Sequence, residues 1–217
     1  MEITSYDILI FSITVPAVIG LVRFSKINQA YYPFIFSIWT GFFNELISFI
    51  LLKLGHHNVI NFNIYLLLES WLITWQFNLW GLFKKRSKTF PILMGVIIVA
   101  WCINSIFTKM KTFNSHFLIG YSFMISMMSI IIFNRLIVTE RKNLLRNSVF
   151  LICVAFVLFY TFNVLSEIFW MYSITENGDL ASNLNKIIPI SNLISYILYS
   201  FAILWMPSKQ KFTLPSS

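Results

Sequence analysis

Residues 147–171 read NSVFLICVAFVLFYTFNVLSEIFWM, and this stretch decides the fold of the chain. Its only charged side chain is Glu167. A helix needs about 20 mostly apolar residues to cross the hydrocarbon core of a bilayer. In lipid, a helix also satisfies the hydrogen bonds of its own backbone. The stretch therefore predicts a transmembrane helix.

The same pattern recurs along the whole chain of 217 residues. It predicts an all-α, polytopic membrane bundle of seven transmembrane helices. We interpret residues 1–206 as one seven-helix transmembrane domain and residues 207–217 as a short cytoplasmic tail. The predicted spans are 6–23, 33–53, 63–84, 90–108, 115–138, 147–171 and 186–206.

The composition excludes several classes of protein. Apolar residues make up 58% of the chain, charged residues 11%, and the mean hydropathy is +0.75. Soluble domains carry about 25% charged residues, so a soluble enzyme, a disordered regulator and a disulfide-stapled secreted domain are excluded. The net charge of +8 lies in short connectors. None of these is long enough to follow a phosphate backbone, so we expect no nucleic-acid partner.

The Lys and Arg residues also predict the orientation of the spans. Basic residues accumulate in cytoplasmic loops. Twelve of the sixteen fall on one side, which places the N-terminus outside and the C-terminus inside. We expect the lipid bilayer to be a bacterial cytoplasmic (inner) membrane, because the richness in Ile, Asn, Lys and Phe is typical of an AT-rich bacterial genome. The inner set is Arg23, Lys26, Lys84, Lys85, Arg86, Lys88, Arg135, Arg141, Lys142, Arg146, Lys209 and Lys211.

Spans two and six resemble each other. Phe43, Asn44 and Leu46 coincide with Phe162, Asn163 and Leu165 at an offset of 119 residues. This offset favours a three-plus-one-plus-three plan with two parallel halves, a layout found in transporters. The alternative is chance similarity between two apolar helices.

Three glutamates lie inside predicted spans. An acidic side chain at the centre of a membrane helix costs about 2.5–3.5 kcal/mol on insertion scales, so it seldom faces lipid and usually marks a functional site. At about 1.5 Å per residue, Glu45, Glu69 and Glu167 lie about 12, 9 and 6 Å below the outer ends of their spans. All three therefore belong to the outer half of the membrane.

Other polar side chains share helix faces with these glutamates at three- and four-residue spacing. The pattern predicts a polar pocket that opens outward and binds a ligand or couples to protons. Its alternative is a set of hydrogen bonds that hold helices together. The predicted site residues are Glu45, Glu69, Glu167, Asn44, Asn163, Asn192 and Tyr65.

Catalytic, cofactor and metal motifs are absent from the sequence. It contains no H-E-x-x-H, G-x-S-x-G or Walker sequence. His56, His57 and His116 fall on the same side as the glutamates, but their spacing forms no metal motif. We therefore expect no enzymatic activity, no cofactor and no metal site.

Two functions are favoured over an intramembrane enzyme and a structural subunit. The first is a receptor-like sensor that binds a small solute or cation and signals through a membrane partner, since no connector is long enough for an output domain. The second is a secondary transporter of a small polar or cationic solute, with proton coupling through a glutamate.

The transporter reading is supported by a resemblance. Chain length, seven predicted spans, an outside N-terminus and the three-one-three plan resemble the SWEET and PQ-loop sugar transporters. Those proteins use prolines in several spans as hinges. Pro16, Pro33 and Pro189 are present here, whereas spans five and six have no proline. The resemblance implies a SWEET-like architecture and transport of a small solute.

Overall fold

The computed structural model describes residues 11–84, 88–139, 144–171 and 178–209, apart from the side chains of residues 11 and 178–188. Over these residues the fold is all-helical, as predicted, with three short 3-10 helices and one isolated β-bridge. The seven α-helices are α1 (Thr14–Arg23), α2 (Tyr32–Lys53), α3 (Val59–Leu79), α4 (Thr89–Thr108), α5 (Ser115–Thr139), α6 (Ser148–Met171) and α7 (Gly178–Trp205).

Four helical segments are long and apolar enough to cross a membrane, so the chain is an integral membrane protein. They are α4, α5, α6, and α2 together with the 3-10 turn that precedes it. At about 1.5 Å per residue these segments run about 30–38 Å, which matches a hydrocarbon core of about 30 Å. Helix α1 and the part of α7 after Pro189 are apolar but shorter.

Three predicted spans have different bounds in the structure. Of the predicted span 6–23, residues 6–10 lie outside the described residues, and α1 begins at Thr14 after a 3-10 turn. The prediction of 186–206 for the last span missed the start of α7 at Gly178. The preceding residues are polar, which excluded them from a span, but they contain no proline and so can extend the helix. The prediction of 63–84 for the third span placed both ends too late, since α3 begins at Val59 and ends at Leu79.

Glycines set the C-terminal ends of α2 and α3. Gly55 and Gly81 have φ values of 76° and 79°, in the left-handed region that favours glycine. After α3, the Gly81 N–H bonds the Asn78 carbonyl at 2.9 Å and the Leu82 N–H bonds the Phe77 carbonyl at 3.1 Å. This pair of bonds satisfies carbonyls at the helix end that lack an intrahelical donor. The helix therefore stops before the basic segment that begins at residue 84.

Helix α3 buries most of its polar residues, and its exposed residues are apolar. Asn63, Glu69 and Gln76 are among its buried residues. This exposure pattern is the inverse of that of a surface helix in a soluble protein. The polar residues also lower the mean hydropathy of α3, which is why it is not among the four apolar segments. The exposed residues recur at three- and four-residue spacing: Ile60, Ile64, Leu68, Trp71, Trp75 and Leu79.

Six helices close into a ring in the order α1, α2, α3, α5, α6, α7, and α7 packs back against α1. Helix α4 packs against α3 and α5 from outside this ring. The α1–α7 contact is reinforced at the ends of both helices. The Arg23 guanidinium donates hydrogen bonds to the carbonyls of Ile203, at 2.7 Å, and Leu204. A cation at this position also complements the dipole of α7.

Gln76 joins α3 to the beginning of α2. Its Oε1 accepts a hydrogen bond from the Phe34 N–H at 2.9 Å, and its Nε2 donates to the Ala30 carbonyl at 2.6 Å. The first N–H groups of a helix have no intrahelical acceptor. The buried amide of Gln76 therefore stabilises the fold at the end of the bundle opposite the α2–α3 connection.

Candidate functional site

A cavity of about 260 Å³ lies at the end of the bundle where the α2–α3 and α4–α5 connections fall. Its walls come from α2, α3, α5, α6 and α7. The structure thus brings together side chains from both halves of the chain. Six of the seven residues that the sequence singled out line this cavity: Glu45, Tyr65, Glu69, Asn163, Glu167 and Asn192.

Asn44 is the exception, and it holds two helices together. Its side chain is buried, and its Oδ1 accepts a hydrogen bond from Asn61 Nδ2 at 2.9 Å. Asn61 Nδ2 also donates to the Asn44 backbone carbonyl at 3.2 Å and to Ser48 Oγ at 3.0 Å. Asn44 therefore contacts α3 rather than the cavity, although its sequence counterpart Asn163 lines the cavity wall.

Glu69 lies at the base of the cavity, and tyrosine hydroxyls bond its carboxylate. The Tyr65 hydroxyl donates to Oε1 at 2.5 Å, and the Tyr121 hydroxyl donates to Oε2. Tyr65 is one turn earlier on α3, whereas Tyr121 reaches across from α5. Tyr160 of α6 lies beside the same carboxylate and packs on the Tyr121 ring, with centroids 5.6 Å apart. Tyrosines of α3 and α5 thus hold Glu69 in place, and Tyr160 of α6 packs beside them.

The carboxylates of Glu45 and Glu167 differ from that of Glu69 in their hydrogen bonding. Both are half-buried and line the cavity. Within the described part of the chain, neither carboxylate forms a hydrogen bond or an ion pair. Ser166 lies next to Glu167 in the wall; it is only 6% exposed, and its hydroxyl has no partner among the described residues. These groups are available to a ligand.

The cavity is acidic and aromatic. Among the described residues that line it there are three glutamates and no Lys, Arg or His. Phe62, Phe159, Trp170 and Tyr196 contribute aromatic surface beside the polar groups. Carboxylates attract a cation directly, and the face of an aromatic ring attracts one through its quadrupole. The arrangement therefore suits a positively charged ligand.

Beneath Glu69 lies a second, smaller cavity of about 20 Å³, which has room for about one water molecule. It shares Glu69, Tyr65, Phe159 and Tyr196 with the first cavity. Phe34 and Phe156 line it, and Phe77 packs beside them; all three are fully buried. The Phe156 ring centroid lies 6.0 Å from the ring centroids of Phe34 and of Phe77.

The cavity glutamates come from three different helices. In the described part of the chain, no three His, Cys, Asp or Glu side chains come together as a metal ion would require. The three histidines lie away from the cavity wall: His56 and His57 are exposed beyond the end of α2, and His116 is exposed at the start of α5.

Sequence reasoning left Tyr121, Tyr160, Tyr196 and Ser166 out of the site. In an apolar helix a tyrosine resembles an ordinary core aromatic, and only the packing of α5 against α3 brings Tyr121 to Glu69. One signal was present: Tyr160 and Tyr196 lie three or four residues from Asn163 and Asn192. That spacing puts them on the same helix faces.

Comparison of the chain with family models, with curated proteins and with solved structures gave no match. The functional argument therefore depends on the geometry of the cavity.

Proposed function

We propose that the chain crosses a bacterial inner membrane seven times, with its N-terminus outside and the cavity open to the outside. The inverted polarity of α3 supports a membrane position for that helix as well as for the four apolar segments. Helices α1 and α7 likewise expose apolar residues such as Val18, Leu21, Ile194 and Phe201. The excess of Lys and Arg at the opposite end supports the orientation.

The cavity binds a small cation in this proposal. The observation that carries the proposal is the acidic, aromatic wall without a basic side chain among the described lining residues. Its volume of about 260 Å³ is slightly below the roughly 300–1,000 Å³ of pockets for drug-sized ligands. This size favours a small organic cation, with Glu45, Glu167, Asn163 and Asn192 as the contacting groups and Glu69 at the base.

A receptor-like sensor is the function that this geometry favours. Beneath Glu69, the buried side chains of Phe34, Phe77 and Phe156 form a phenylalanine layer between the cavity and the opposite end of the bundle. A receptor needs a binding site that opens on one side only, so this layer is compatible with that function. The predicted connectors are too short for an output domain, so the signal passes to a membrane partner. The basic segments around Lys84 and Arg146 are the proposed contact surface for that partner, and they also suit anionic lipid headgroups.

A secondary transporter is the second candidate. Glu69 is shared between the outer cavity and the small inner one, where a proton-coupling carboxylate would have to lie. Pro189 interrupts the hydrogen bonds of α7 at the cavity end of the helix and provides a place for bending. In this reading the phenylalanine layer is the closed gate of one conformation.

Purified protein in proteoliposomes distinguishes the two candidates. Flux of amines, sugars, amino acids and metal ions is followed together with internal pH, and ligand-dependent thermal stabilisation is measured on the same preparation. A receptor shows stabilisation by a cation without flux, and a transporter shows saturable flux. Both responses must vanish when Glu45, Glu69 and Glu167 are replaced by Gln. Absence of both for every cation contradicts the proposal.

A further inference from the structure

The three cavity glutamates differ in what they are free to bind. Both carboxylate oxygens of Glu69 accept hydrogen bonds from tyrosine hydroxyls, so Glu69 already has partners within the protein. Glu45 and Glu167 have none among the described residues. A ligand that enters the cavity therefore meets two carboxylates whose hydrogen-bonding capacity is unused.

These two carboxylates come from opposite parts of the helix ring. Glu45 belongs to α2, which packs between α1 and α3, and Glu167 belongs to α6, which packs between α5 and α7. The described residues include no group of three His, Cys, Asp or Glu side chains that could hold a metal ion. Two carboxylates that reach one cavity from opposite helices are suited to a ligand that holds two positive charges apart.

Polar groups beside Glu167 complete one end of such a site. An ammonium group has three N–H donors. A single carboxylate does not normally accept hydrogen bonds from all three at once. Ser166 is buried, with 6% of the residue exposed, and it lines the same cavity. Its hydroxyl has no partner in the described chain. Asn163, one turn earlier on α6, adds an amide oxygen. These neutral acceptors suit the remaining N–H donors.

The rest of the wall is apolar enough for a hydrocarbon chain. Leu66 and Leu118 line the cavity together with the rings of Phe62 and Phe159. A chain of methylene groups loses unfavourable contact with water when it packs against such side chains. The lining therefore offers charge at separated points and apolar surface within the same cavity.

We propose that the ligand is a short linear aliphatic diamine. One ammonium group binds Glu45, and the other binds Glu167 with Ser166 and Asn163. The methylene chain packs on the leucine and phenylalanine side chains, and Glu69 acts as a positioning residue for the tyrosines at the base. This inference rests on the proposed function, since it names the class of cation.

The test compares two ligands that differ by one charge. Binding of 1,5-diaminopentane and of 1-aminopentane to the full-length protein in lipid nanodiscs is measured by titration calorimetry. We expect the diamine to bind at least about tenfold more tightly. Glu45→Gln and Glu167→Gln should each reduce diamine binding to the monoamine level. His116→Gln, exposed at the same end but outside the cavity, is the matched control and should leave both affinities unchanged.

Each outcome has a distinct meaning. Equal affinities for the two amines in the wild-type protein contradict the diamine inference and leave cation binding intact. Absence of binding by either amine, by metal ions and by quaternary ammonium ions contradicts the proposed function itself. A series of diamines with three to six carbons requires no variant, so it tests the inference even if a Gln variant fails to fold. An affinity that does not depend on chain length contradicts a two-point site.

Discussion

Replacing Tyr121 by Phe should destabilise the protein through one hydroxyl group. The substitution removes the donor to Glu69 Oε2 and leaves the ring packed against Tyr160. Hydrogen bonds to charged groups contribute about 1.5–3 kcal/mol in soluble proteins. In membrane proteins, interhelical hydrogen bonds average about 0.6 kcal/mol and reach about 1.7 kcal/mol. Glu69 is buried, and no cationic side chain lines its cavity among the described residues. We therefore expect Tyr121→Phe to lower the free energy of unfolding by about 1.5 kcal/mol, near the upper limit for membrane proteins.

The assay is reversible unfolding by SDS in mixed micelles, analysed as a double-mutant cycle with Glu69→Leu. In the Glu69→Leu protein, Tyr121→Phe should lower the free energy of unfolding by less than about 0.5 kcal/mol, since the hydrogen-bond acceptor has been removed. Tyr196→Phe is the matched control: Tyr196 lines the same cavity, and its hydroxyl has no hydrogen bond to a described residue. It should cost less than about 0.5 kcal/mol in the wild-type background. An equal cost of Tyr121→Phe in both backgrounds would refute the reasoning.

Three further predictions concern the fold and its orientation. Asn61→Leu removes the amide that bonds Asn44 and should lower the free energy of unfolding by about 1 kcal/mol without changing amine affinity; a loss of affinity would argue against a purely structural role. Gln76→Leu leaves a buried helix-start N–H unpaired and should cost about 1–3 kcal/mol in the same SDS titration, whereas no cost would contradict its bridging role. In a cysteine-free background, a cysteine at Asn58 should react with an impermeant reagent in intact cells and one at Lys88 only after permeabilisation; the reverse pattern would contradict the orientation.

The helices could be predicted from sequence because length and hydropathy are local properties. Residues 115–138 and 147–171 were predicted within one residue of α5 and α6. The helix ends that were predicted wrongly depend on features that a hydropathy pattern does not contain. Gly81 ends α3 through its left-handed backbone, and the polar residues before Pro189 extend α7 although they are unsuited to hydrocarbon.

The cavity was only partly accessible to sequence reasoning. Glu45, Glu69 and Glu167 are conspicuous within mostly apolar stretches because charge is costly in lipid. The difference between Asn44 and Asn163 depends on which helix faces which: one meets Asn61 of α3, and the other meets the cavity. Two asparagines at equivalent positions in similar stretches can therefore serve different purposes.

That contrast provides the most direct test of the central claim, which is an outward-facing cavity that binds a cation. Single cysteines are placed at Asn163 and at Asn44 after the native cysteines are removed. Intact cells are then treated with a cationic, membrane-impermeant methanethiosulfonate. The account predicts that the cysteine at position 163 reacts from outside and is protected by diaminopentane, while the one at position 44 does not react. Reaction at position 163 only from the cytoplasmic side, or without protection by any cation, would contradict it.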